Sequence, residues 1–198
     1  YLQVKATGPT DGTYARLTVL GIVLTGDFWF ESKTIDSTHK AVTVAAKNVS
    51  LDLASYARDL VTVTNGTGAF IIESDGLAGQ ATAVVGLRVT GLSFGMGGTF
   101  GIRINQRRVA VNETVGGVST GDLPAGPYLE VFGTGVNLSF LGMTLTGNYS
   151  FEQRTSNEGA YLVSVAAKEV NFRFGSMLIA TGGTGSFVIN DLHQCSSA

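Results

Sequence analysis

Four blocks of this chain occur twice, in the same order, and this repetition limits the available folds more than any other feature. Tyr1-Leu-Gln-Val-Lys-Ala-Thr-Gly8 matches Tyr128-Leu-Glu-Val-Phe-Gly-Thr-Gly135 at an offset of 127 residues. Leu20-Gly-Ile-Val-Leu-Thr-Gly-Asp-Phe-Trp-Phe-Glu31 matches Leu141-Gly-Met-Thr-Leu-Thr-Gly-Asn-Tyr-Ser-Phe-Glu152, and the run from Val42 to Leu53 matches Val163 to Phe174, both at 121. Thr64-Asn-Gly-Thr-Gly-Ala-Phe70 matches Thr181-Gly-Gly-Thr-Gly-Ser-Phe187 at 117. Residues 1–127 thus make one full β repeat unit, and residues 128–198 are the first part of a second copy, continuous with the first. The stretch 79–127 occurs once. Repeats of this kind bury their apolar faces against neighbouring repeats, so an element of an array, or a subunit completed by another copy, is expected.

Within each unit the residues alternate apolar and polar over short β-branched and aromatic runs, such as Ala41 to Val44, Val49 to Leu53, Tyr128 to Phe132 and Val136 to Phe140. No run carries the 3.6-residue period of a long amphipathic helix. The runs are separated by small bends of the Thr-Gly, Ala-Lys-Asn or Gly-Thr-Gly type, spread through a chain with 27 Gly and only 3 Pro. Ala46-Lys47-Asn48 lacks the Asn-Gly or Asp-Gly of a tight hairpin. A bend that carries the chain around a corner fits it better. The fold expected is all-β, a β-solenoid or β-helix-like stack of bent rungs, with antiparallel β-sandwich repeats sharing strands as the alternative.

The balance of 13 basic and 15 acidic residues, net −2, leaves no electrostatic footprint for nucleic acid. No apolar stretch reaches the length of a transmembrane helix. Outer-membrane barrel strands of about ten residues with aromatic girdles are not evident, because the Thr-Gly bends interrupt most runs early. The chain opens at Tyr1 without Met, as expected of a processed protein or a segment of a longer one. The single Cys195 excludes an intrachain disulfide framework.

Ala110-Val-Asn-Glu-Thr-Val-Gly-Gly117, Asp122-Leu-Pro-Ala-Gly-Pro-Tyr-Leu-Glu-Val-Phe-Gly-Thr-Gly-Val-Asn-Leu138 and Asp75-Gly-Leu-Ala-Gly79 resemble repeats of very large, tandemly repetitive bacterial extracellular proteins of adhesin or fibre type. The resemblance implies an exported, structural role at the cell surface and no reaction.

Chemistry is sparse. Gly182-Gly183-Thr184-Gly185-Ser186-Phe187 copies the glycines of a calcium-binding β-helix repeat but has Phe where that repeat needs Asp. No cofactor is expected. Calcium is kept only as a minor alternative, with Glu73, Asp75 and Asp122 as its oxygen donors. His39 and His193 lack a nucleophile motif, and no enzymatic activity is expected. A polysaccharide-degrading β-helix, using Lys33, Asp36, Arg58 and Asp59 or the stripe Arg103, Arg107 and Arg108, ranks third among the functions weighed. A carbohydrate-binding adhesin module ranks second. In that reading Trp29 is the contact residue, because it opposes Phe28 and Phe30 across the strand and its place in the second copy is taken by Ser150. Asn48, Asn65, Asn112, Asn137 and Asn148 head glycosylation sequons. The leading expectation is a structural subunit or segment of an extracellular filament, joined head to tail to copies of itself by strand addition or rung stacking. Its interface residues are Tyr1, Leu2 and Val4 at one end and Phe187, Val188 and Ile189 at the other.

Overall fold

A computed structural model describes residues 2–6, 15–19, 22–34, 40–52, 61–89, 93–155 and 161–191. The strands are β1 (Leu2–Ala6), β2 (Ala15–Val19), β3 (Ile22–Thr34), β4 (Lys40–Asp52), β5 (Val61–Glu73), β6 (Gly76–Val89), β7 (Phe94–Asn105), β8 (Thr114–Val115), β9 (Val118–Ser119), β10 (Tyr128–Phe140), β11 (Met143–Thr155), β12 (Tyr161–Phe174) and β13 (Leu178–Asp191). All but β8 and β9 form one antiparallel sheet in the order β1-β3-β4-β5-β6-β7-β10-β11-β12-β13, with β2 also on β3. The sheet does not close.

The all-β expectation therefore stands, in the form of one large antiparallel sheet; the described residues do not show a stack of rungs. The bends read as corners are β-bulges inside long strands. Val42 to Ala46 and Val49 to Leu51 belong to the single strand β4, whose pairing with β5 slips between Ala46 and Val49. Equivalent slips fall between Gly133 and Val136 in β10 and between Ala167 and Val170 in β12. Each bulge adds a residue and reverses the phase of alternation. Val42, Val44 and Ala46 before the β4 bulge consequently share a face with Val49 and Leu51 after it. The bulge residues Asn48 and Asn65 lie at φ +54°, and their second-copy equivalents Glu169 and Gly182 lie at +54° and +70°.

The changing offsets have the same kind of cause. β1 and β2 lie end to end along β3, where the second copy has the single strand β10 along β11. Eight residues, 7–14, separate Ala6 from Ala15, whereas two separate Gly133 from Val136. The connection after β12 is shorter than that after β4, which lowers the last offset. One repeat thus contributes six strand positions, β1/β2 through β7. An even number returns the chain in its starting direction, so β10 enters the sheet running the same way as β1.

Candidate functional site: one covered face, one open face

Alternation gives the sheet two unlike faces. One carries Trp29, Glu31, Thr43, Ala45, Ala69, Ile71, Ala78, Gln80, Arg103, Asn105, Tyr128 and Glu130, which neighbour one another in register across six strands. Residues 106–127, the last part of the stretch that occurs once, lie over this face as a strap bearing the β8–β9 hairpin. Val111, Val115, Val118 and Leu123 of the strap close onto Ala45, Ala69, Ile71, Ala78 and Tyr128 to form the buried core.

Hydrogen bonds tie the strap down. Asn105, fully buried, donates from Nδ2 to the carbonyls of Val109 and Pro124 at 2.8 and 2.7 Å and accepts from the Arg107 N–H at 2.9 Å. Thr120 Oγ1 accepts from the Glu113 N–H at 2.9 Å, which fixes the hairpin internally. At the tip, Gln80 Nε2 donates to the Ser119 carbonyl while Gln80 Oε1 accepts from Arg103 Nε. Arg103 also pairs with Glu130 at 2.8 Å and lies 4.8 Å from the centre of the Phe132 ring. Tyr128 donates to the same Glu130 oxygen at 3.0 Å. Burial is the main cause that pushes the Tyr128 phenol well above its ordinary pKa, and the bond to Glu130 adds to it. This network runs from strap to β6, β7 and β10, and so crosses the junction between the two repeats.

The residues singled out in the sequence fall as follows. Trp29 is half-buried and packs against the strap core, so close to Gly116 that a Cβ there would stand 2.8 Å from the indole. Its counterpart Ser150 lies on β11, beyond β10 from the strapped strands. Glu73 and Asp75 both accept from Arg107, at 2.8 and 3.0 Å, so the oxygens considered for calcium and the cation considered for a polysaccharide bind one another. Among the described residues no group of three or more His, Cys, Asp or Glu side chains gathers as a metal site. Asn48 donates to Asp27, Asn112 lies 3.5 Å from Asp122, Asn148 bridges Gly135 and Glu169, and Asn65 and Asn137 are exposed. Leu2 and Val4 stand in β1, paired with Ser32 and Phe30. Phe187, Val188 and Ile189 stand exposed in β13, whose described pairing is to β12. Tyr1, Asp36, His39, Arg58, Asp59, His193 and Cys195 lie outside the described residues, as does the side chain of Lys33.

The opposite face is unlike the strapped one. Phe28 is buried, but Phe30 and its counterpart Phe151 are 40% and 39% exposed. They belong to an apolar face that nothing in the described chain covers, together with Val44, Ile72, Ile102, Val131, Phe187 and Ile189. Among the strand residues whose side chains are described, each charged one points to the other face or lies at a bulge; Lys40, first in its strand, is the exception. The chain matches no family model, no curated protein and no solved structure.

Proposed function

We propose that this chain is a structural repeat module of an extracellular or cell-surface filament, extended by adding strands edge to edge. The observation that supports it is the junction between the two copies. β7, the last strand of the first repeat, pairs with β10, the first of the second, from Asn105↔Tyr128 to Phe94↔Phe140, as any hairpin partners in the sheet do. A sheet whose repeats join this way can take a further repeat at β13 without turning over, because ten strand positions again form an even number. The joining partner is a second copy of the chain or further repeats of the same polypeptide. The unpaired N–H and C=O row on the outer side of an edge strand drives the addition.

Negative-stain electron microscopy beside light scattering on the 198-residue chain tests this. Filaments are expected with strands across the axis and a rise of about 48 Å per chain, ten strands at the usual spacing. Because alternate strand residues turn their N–H outward, a proline at either Phe187 or Val188 removes an outer donor, and one of these variants is expected to stop growth. Particles of one fixed size at every concentration would overturn the proposal.

A further inference from the structure

Resting on that structural reading, we propose that the open apolar face of the sheet packs against the same face of a second copy, giving a two-layer ribbon. Three observations carry this. The first is extent. Ten strand positions of about 13 residues make a face on the order of 1,800 Å², more than twice the roughly 800 Å² that each partner contributes to a stable interface.

The second is relief. A trough of about 470 Å³ crosses this face where Gly66, Gly68, Ala81 and Ala83 lie between Phe70 and Phe100. Elsewhere on the face Phe30, Phe151 and Phe187 stand proud, at 40%, 39% and 58% exposure. Ridge and hollow on one surface are what two copies need to interdigitate, as the inner faces of sandwiches do at a separation of about 10 Å.

The third separates a protein partner from a bilayer. The described sheet does not close, and lipid cannot satisfy an open edge. The one tryptophan lies on the strapped face, away from any interfacial girdle.

The test uses the edge-blocked proline variant, so that filament growth does not mask face pairing. Sedimentation is expected to give twice the chain mass, falling to the single-chain mass when Val131→Lys or Ile72→Lys is added. Both side chains are 45% exposed, so the charge is tolerated by the lone sheet, which circular dichroism checks. If the proline variants fail to fold, a single-cysteine probe replaces them. Val131→Cys in a Cys195→Ser chain is expected to form an intermolecular disulfide that the strapped-face control Ser150→Cys does not form. A monomeric edge-blocked chain, or equal cross-linking from both faces, would overturn the pairing. So would flotation of the edge-blocked monomer with phosphatidylcholine–phosphatidylglycerol vesicles, which would assign the face to lipid. A dimer that persists where the native chain makes no filaments would refute edge growth and leave face pairing standing.

Discussion

Asn148 Nδ2 donates to Glu169 Oε2 at 2.8 Å, and at the equivalent positions of the first copy Asn48 Nδ2 donates to Asp27 Oδ2 at 3.1 Å. The same bond links the same two strands beside the same bulge, with donor and acceptor exchanged. Asn48→Glu by itself sets two carboxylates face to face and gives up the residue best suited to a positive φ. The expected loss in urea unfolding is about 1–2 kcal/mol. Adding Asp27→Asn rebuilds the second copy's arrangement and is expected to restore about 1 kcal/mol, the coupling read from the double-mutant cycle.

The bulges have a second support. The Gly182 N–H donates to Asn171 Oδ1 at 3.0 Å and the Gly135 N–H to Asn148 Oδ1 at 2.7 Å, so an Asn on the neighbouring strand accepts from a bulge amide that the ladder leaves unpaired. Asn171→Ala is expected to cost about 1 kcal/mol. Hydrogen exchange should show the Gly182 amide losing protection, while amides at the middle of β10 keep theirs.

These bulges explain how far the sequence could be read. Alternation was legible, and it correctly implies strands and opposite orientations for Trp29 and Phe30. The sheet was not legible, because Ala46-Lys47-Asn48 and Thr64-Asn65-Gly66 reverse the alternation over one or two residues, which reads equally as a corner or as a bulge. Only pairing across strands tells them apart. Breaking the runs at these points also made the strands look too short, which is why 13-residue elements such as β4 and β10 were missed. The strap was hidden for a different reason. Gly116 and Gln80 act through contacts distant in sequence, as does Asn105 in its bond to Pro124, and no local pattern marks them. The one available signal was the exchange of Trp29 for Ser150.

Leu141 and Gly142 form the two-residue turn between β10 and β11 with φ of +48° and +81°. Both values suit the type I′ turn that prefers Asn-Gly, and a leucine pays for the left-handed conformation. Leu141→Asn is expected to stabilise the chain by about 1 kcal/mol, seen as a raised urea midpoint at unchanged m-value. Leu141 is 62% exposed, so no packing is lost in exchange.

Tyr128 gives the chain a pH dependence at the alkaline end. Its phenol ionises at higher pH in the folded protein than the ordinary value of 10.0, chiefly because it is buried. Above that ordinary value the unfolded chain gives up its proton while the folded one keeps it, so stability is full below about pH 10 and falls as pH rises further. Tyr128→Phe is expected to flatten this alkaline fall, compared with the parent by urea unfolding at successive pH values. An equally steep fall in the variant would place its origin elsewhere.

Trp29→Ser copies into the first repeat what the second already has. If the indole is there to hold the strap, the change should free the strap and spare the sheet. The expected cost is about 2 kcal/mol, below that of deleting a fully buried tryptophan because this one is half-exposed. Limited proteolysis should then cut within residues 106–127, where the parent resists, and leave β10 to β13 intact as a fragment. Gly116→Ala provides the reciprocal test: its Cβ would meet the indole at 2.8 Å, on a backbone at φ +54°. It is expected to give the same cleavage pattern from the other side of the contact. Unchanged protease resistance in both variants would mean that Asn105 and the Thr120 hairpin hold the strap without the indole.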